Sequence, residues 1–205
     1  MPAVNAALLA TPIANPLTGE HRRELAAARD GAAKIRKAAR VASFNGWSTA
    51  IVAALAVPFA LSSTLNLLVA LALIGVAFVE FQGRRRLLKF DPAAVTILGW
   101  NQLAFLAMIC AYCGWMLYAN LSGPNVFAAE LESNPDLKAA VGMLDGFDGL
   151  FRQIVIALYG SVMVLSVIFQ GGNAIYYFTR RKYIESYVAE TPAWIRDLQG
   201  MSTGV

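Results

Sequence analysis

Apolar residues in this chain gather into a few long blocks divided by short polar stretches, and the blocks are too continuous for a soluble core. The clearest runs from Leu150 to Phe178, with Arg152 at its start as the one charge and Arg180-Arg181-Lys182 just beyond its end. At 1.5 Å per residue it reaches roughly 40 Å, enough to cross a hydrocarbon core of about 30 Å with some tilt. Ala93–Ala119 carries no charge and predicts another span. Phe44–Phe81 is too long for one crossing. Ser62-Ser63-Thr64 divides it into Gly46–Leu61 and Leu65–Phe81, with Pro58 marking a kink or early end beside the turn. A re-entrant hairpin over 46–81 is the competing geometry, and it returns the chain to the same side. The expected fold class is an all-α integral membrane protein with four transmembrane helices, at about 46–61, 65–81, 93–119 and 150–178.

The flanks add three polar regions. Residues 1–43 form an arm, irregular over 1–17 and then helical from an N-cap at Thr18 to about Ala42. Arg22, Arg29, Arg36 and Arg40 project within about 40° of one another on that helix, opposite a shallow face of Ala27, Ala28, Ala32, Ile35, Ala38, Ala39 and Ala42. The arm is thus a basic amphipathic helix whose Ala face suits close packing on protein. Residues 120–149 form an acidic loop, with turn residues from Asn120 and a short helix opening at Asn134-Pro135. The tail, 179–205, continues past the last span with Tyr183, Ile184, Tyr187 and Val188 at helical spacing. It restarts at Thr191-Pro192 as a juxtamembrane helix with Trp194, Ile195 and Leu198 apolar.

Charge fixes the expected orientation. Fifteen of the 17 Lys and Arg lie in the arm, in the loop containing Arg84, Arg85 and Arg86, and in the tail with Arg180, Arg181 and Lys182. Only Lys138 and Arg152 lie on the other side. The positive-inside rule then puts both termini in the cytoplasm and the 120–149 loop outside, in a cell or inner membrane. The arginines are read as contacts to anionic headgroups, each worth about 1 kcal/mol near the surface. The net charge of +4 therefore does not point to nucleic acid. Mean hydropathy of +0.54 and only 15% charged residues agree. Pro12 and Pro16 and the lack of an early basic run argue against a cleaved secretory signal, and Pro2 in place of Gly argues against N-terminal acylation. Trp47, Trp115, Tyr118, Tyr176 and Tyr177 fall near span ends as interfacial anchors.

The chemistry is sparse. The two cysteines, Cys110 and Cys113, form a C-x-x-C in the third span. They sit far from a helix N-terminus, where a dipole would favour thiolate, so a quinone-linked thiol oxidoreductase ranks as the third reading. The single histidine, His21, lies in the arm, so no haem, metal or other cofactor site and no catalytic set is expected. Glu80, at the inner end of the second span, is expected to pair with Arg84 or Arg180.

The informative remainder is a set of intramembrane polar residues, Asn101, Gln102, Ser166, Gln170 and Asn173. Tyr159, Ser166, Gln170, Asn173 and Tyr177 share a stripe about 60° wide on an ideal helix. Asn101 and Gln102 match Gln170 and Asn173 in depth, which predicts an amide clamp between the third and fourth spans, at about 0.6 kcal/mol per contact. Gly160, with Gly171 and Gly172, marks a separate side suited to helix packing. The expected function is a non-catalytic, oligomeric structural or accessory subunit of a membrane complex, associating with copies of itself or with other membrane subunits. A homo-oligomeric channel lined by the fourth span is the alternative.

Overall fold

The computed structural model describes residues 17–122, 134, 136 and 147–202, and among them every element is helical. The irregular segment expected over the first residues and the helix expected at Asn134-Pro135 lie outside the described residues, apart from isolated positions. Among the described residues four helices are long and apolar enough to cross a membrane, the pattern of an all-α, multi-pass membrane protein.

The first is α1, Gly19–Ala60, a single rod of 42 residues. Thr18 caps it as expected, its hydroxyl accepting from His21 N–H at 3.2 Å. The expected division between a basic arm helix and a first span at residues 43–45 is not there. The end of the charge pattern at Arg40 marks a change of surroundings, and Ser43-Phe44-Asn45 contains nothing that breaks a helix. The rod ends two residues after Pro58, and the serine cluster makes the turn. Ser62 Oγ donates to Phe59 O at 2.7 Å, and Ser63 Oγ caps the next helix by accepting from Asn66 N–H at 3.1 Å.

Helix α2, Thr64–Leu88, returns to the basic end and stops in a Schellman-type turn. There Phe90 N–H donates to Leu87 O at 3.0 Å and Asp91 N–H to Arg86 O at 3.1 Å. Phe90 occupies the left-handed position, φ 59°, normally given to glycine, and its ring lies 4.9 Å from that of Tyr187. Asp91 Oδ1 then accepts from Ala93 N–H at 2.9 Å to start α3, Ala93–Ser122. The turn expected to begin at Asn120 starts later. Asn120 stays helical and donates back to Met116 O at 2.7 Å.

The last long helix has three parts: α4, Phe147–Ser166, a π-helical turn Val167–Gly171, and α5, Gly172–Glu190. A short α6, Ala193–Ser202, follows. A π turn takes one extra residue, so the helix below it is rotated by about 100° relative to an unbroken α-helix. The ideal stripe from Tyr159 to Tyr177 is thereby split. Above the turn α4 packs on α3 and buries Val155 and Ser166. Below it α5 meets both α3 and α1 and buries Ala174 and Tyr177.

The core sits at the basic end. Ala28, Ala32, Ile35, Ala38, Ala39 and Ala42 of α1 are buried, as the Ala face predicts, whereas Ala27 is exposed. They pack in one cluster with Leu87, Phe90, Leu98, Tyr177, Ile184 and Ile195. Helix α6 docks on this arm: Ile195 is fully buried and the Trp194 ring meets His21 edge-on at 5.5 Å.

Candidate functional site

Four helices converge on one side chain, Glu80 of α2, which is fully buried. Asn101 Nδ2 donates to Glu80 Oε1 at 3.0 Å, and Gln102 Nε2 donates to the same oxygen at 2.7 Å. These residues are consecutive on α3, about 100° apart, so they straddle the line to α2 and both reach one oxygen. Asn101 Nδ2 also lies 3.2 Å from Val76 O. From α5, Tyr177 OH donates to Glu80 Oε2 at 3.3 Å, and Asn45 Nδ2 of α1 donates to Tyr177 OH at 3.3 Å. One carboxyl thus links α1, α2, α3 and α5 through neutral donors.

Glycines permit the approach. A Cβ on Gly83 would lie 2.5 Å from Leu98 Cδ2, and one on Gly99 would lie 2.7 Å from the Phe178 ring. A Cβ on Gly46 would lie 3.3 Å from Glu80 Cβ and 3.1 Å from the Phe81 ring. Leu98 seats against the α2 backbone and Phe178 against the α3 backbone only because Gly83 and Gly99 lack side chains, and Gly46 gives α1 the same kind of close fit against Phe81 and Glu80.

This geometry corrects three expectations. Glu80 is held by two amides and a phenol, with no guanidinium among its bonds. Arg180 instead lies over the rings of Tyr176 and Tyr183, at 4.7 and 5.4 Å, and the ion pair recorded among the described residues is Arg181–Glu185 at the surface, 2.7 Å. Arg84, one turn from Glu80 on α2, is half-buried, and both Glu80 oxygens are already taken by Asn101, Gln102 and Tyr177. The amide clamp forms between α2 and α3, so Asn101 and Gln102 are engaged by Glu80 and not by Gln170 or Asn173. Tyr177 is no interfacial anchor, being completely buried as the fourth member of the knot.

The remaining predicted residues fall elsewhere. Gln170 and Asn173 line a cavity of about 280 Å³ with Asn45, Ser48, Thr49 and Gln102, so Gln102 belongs to both the knot and the cavity. Ser166 is buried where α4 meets α3. A Cβ on Gly160, Gly171 or Gly172 would meet nothing within 4 Å, so among the described residues these glycines are not contact positions. Gly171 and Gly172 mark the end of the π turn instead. Arg22, Arg29, Arg40, Arg85, Arg86, Arg181 and Lys182 are exposed, with Arg36, Arg84 and Arg180 half-buried, all toward the basic end. Cys113 is buried, Cys110 half-buried, and neither is in a disulfide. No group of three or more potential metal ligands occurs among the described residues.

Asn45, Gly46, Gly83 and Gly99 went unrecognised in the sequence. One signal was available: α2 and α3 are joined by a short turn, so Glu80 and Asn101 are about equally far from it and share a depth. No protein-family model, curated protein or solved structure matches the chain, so its function has to be argued from these residues.

Proposed function

We propose that the protein is a non-catalytic, structural or accessory subunit of a membrane complex, working as an oligomer with its basic end in the cytoplasm. The observation that carries this reading is the imbalance of the fourth long helix. Its apolar window is 11% buried, against 22–28% in the other three. Its outward positions include Ile154, Leu158, Val164 and Leu165, and its one exposed hydroxyl there, Ser161, donates to Leu158 O of its own helix at 2.9 Å. Such a face supports packing against another helix, with Gly160 open for close approach. It gives little support to a water-filled pore, because Ser166, Gln170 and Asn173 turn toward α1 and α3. The bias of fifteen basic residues against two supports the orientation, and the mid-helix cysteines support packing thiols over redox chemistry.

Native mass spectrometry of the protein released from its own membrane in lipid discs tests the reading. The expected spectrum shows multiples of the 22.1 kDa chain or complexes with other chains, and a spectrum of single chains alone would overturn it. Labelling of a Ser186→Cys variant lacking Cys110 and Cys113, expected only from the cytoplasmic side, tests the orientation separately.

A further inference from the structure

The cavity beside the knot has a lining unlike the lipid-facing surface around it. Its polar walls are Asn45, Ser48 and Thr49 of α1, Gln102 of α3, and Gln170 and Asn173 of the last long helix. These positions lie roughly 10 Å inside the apolar part of the helices, counted from the basic end at 1.5 Å per residue. Polar groups at such depth are costly unless something bonds to them. One has no hydrogen-bond partner among the described residues: the buried oxygen of Gln170, Oε1. An amide oxygen only accepts, so what completes it must donate.

We propose that this groove binds the uncharged, hydrogen-bond-donating head of a membrane-dissolved amphiphile, such as the hydroxylated ring of a quinol or the free glycerol hydroxyl of a diacylglycerol. The charge of the head follows from the walls. No Lys, Arg, Asp or Glu lines the cavity, and the Glu80 carboxylate is occupied by Gln102 Nε2 at 2.7 Å and its other donors. An anionic head would find no cation at a depth where charge is expensive. The volume, about 280 Å³, takes a ring or a glycerol-sized head and leaves the tail outside. At the rim Phe44, Val52 and Phe169 are exposed, an apolar surface along which an acyl or prenyl tail can lie. Gln102 joins the occupant to the knot, since the amide lining the groove also holds Glu80. The proposal does not depend on oligomerisation, because every wall comes from one chain.

Calorimetric titration of the full chain in phosphatidylcholine discs tests it, with three probes: a decyl-substituted hydroquinone kept reduced, dioctanoylglycerol, and dioctanoyl phosphatidate. Saturable binding near one per chain is expected for one neutral probe, and which one binds identifies the source. Gln170→Leu is expected to weaken that binding about tenfold, equivalent to about 1.4 kcal/mol. Ser48→Leu narrows the groove from an exposed position that makes none of the bonds to Glu80, and is expected to do the same if the Gln170 variant folds poorly. The fully O-methylated form of the winning probe, with no hydroxyl left to donate, is expected to bind as weakly. Binding by neither neutral probe, equal binding of phosphatidate, or binding indifferent to both substitutions and to methylation overturns the proposal.

Discussion

The two ends of this bundle are held together by different means. At the basic end α1, α2, α3 and α5 approach through Gly46, Gly83 and Gly99, close around Glu80, and continue into an Ala-faced core that takes in Ile184 and Ile195. At the distal end α1 pairs with α2 and α4 pairs with α3, and large side chains such as Leu55, Phe59, Ile154 and Leu158 stay exposed. In a bilayer exposed apolar surface costs nothing, because lipid tails are as apolar as the side chains. Burial therefore cannot drive the distal half together, and specific bonds and side chains seated on glycine backbones are concentrated where the helices do meet. The basic end defines the arrangement of the helices, and the distal end is left available to lipid or to another subunit.

The largest expected effect comes from removing the acceptor at the centre of the knot. In Glu80→Leu, Asn101 keeps its contact with Val76 O, while Gln102 Nε2 and Tyr177 OH are stranded in a buried site. Two stranded donors predict a loss of about 3 kcal/mol, read as a lower midpoint in detergent-driven unfolding followed by tryptophan fluorescence. The matching distal substitution, Ser161→Ala, removes a hydroxyl bonded only to its own helix and is expected to leave the midpoint unchanged. Equal effects would break the comparison.

The spans themselves were legible because hydropathy over about twenty residues is a property of sequence alone. The turn at Ser62–Ser63, the Asp91 cap and the buried Ala face were legible for the same reason, each being local. What escaped depends on which face of a helix meets which neighbour. Depth-matching singles out Asn101 and Gln102 but pairs them with Gln170 and Asn173, because Glu80 is expected to pair with Arg84 or Arg180. The π turn had only Gly171-Gly172 as a pointer, and by rotating α5 it removed Tyr177 from the stripe an ideal helix predicts. Glycines show the same limit: Gly160 looked like a contact and is open, whereas Gly83 drew no attention and is filled by Leu98.

That reversal gives the second prediction. Gly83→Val forces the whole Leu98 side chain aside and is expected to destabilise the single chain by about 2 kcal/mol. At Gly160 an added Cβ meets nothing among the described residues, and Gly160→Val is expected to leave the unfolding midpoint in place. If the distal end carries a subunit contact, Gly160→Val instead lowers the fraction of assembled protein in native mass spectra while the monomer remains folded. A Gly160 variant that unfolds the monomer as readily as the Gly83 variant would remove the distinction between the two ends.

The smallest effect distinguishes the two inter-helix turns by the sign of a substitution. In the basic turn Phe90 sits at φ 59°, which costs a residue with a Cβ about 1–2 kcal/mol, and it is kept there by burial of its ring against Tyr187. Phe90→Ala loses the ring and keeps the backbone cost. Phe90→Gly loses the same ring and escapes that cost, though it adds freedom to the unfolded chain worth about 0.4–1 kcal/mol. The glycine variant should therefore be the more stable of the two, by about 0.5–1 kcal/mol. At the distal turn Leu61 has φ −83° and ψ −9°, an ordinary right-handed conformation, and its side chain is exposed. There Leu61→Gly relieves nothing and loosens the unfolded chain, so the order inverts and alanine is the more stable by a few tenths of a kcal/mol. Unfolding midpoints of the four variants check both orders. If alanine also wins at position 90, the left-handed backbone there carries no cost that glycine relieves, and the two turns do not differ in this respect.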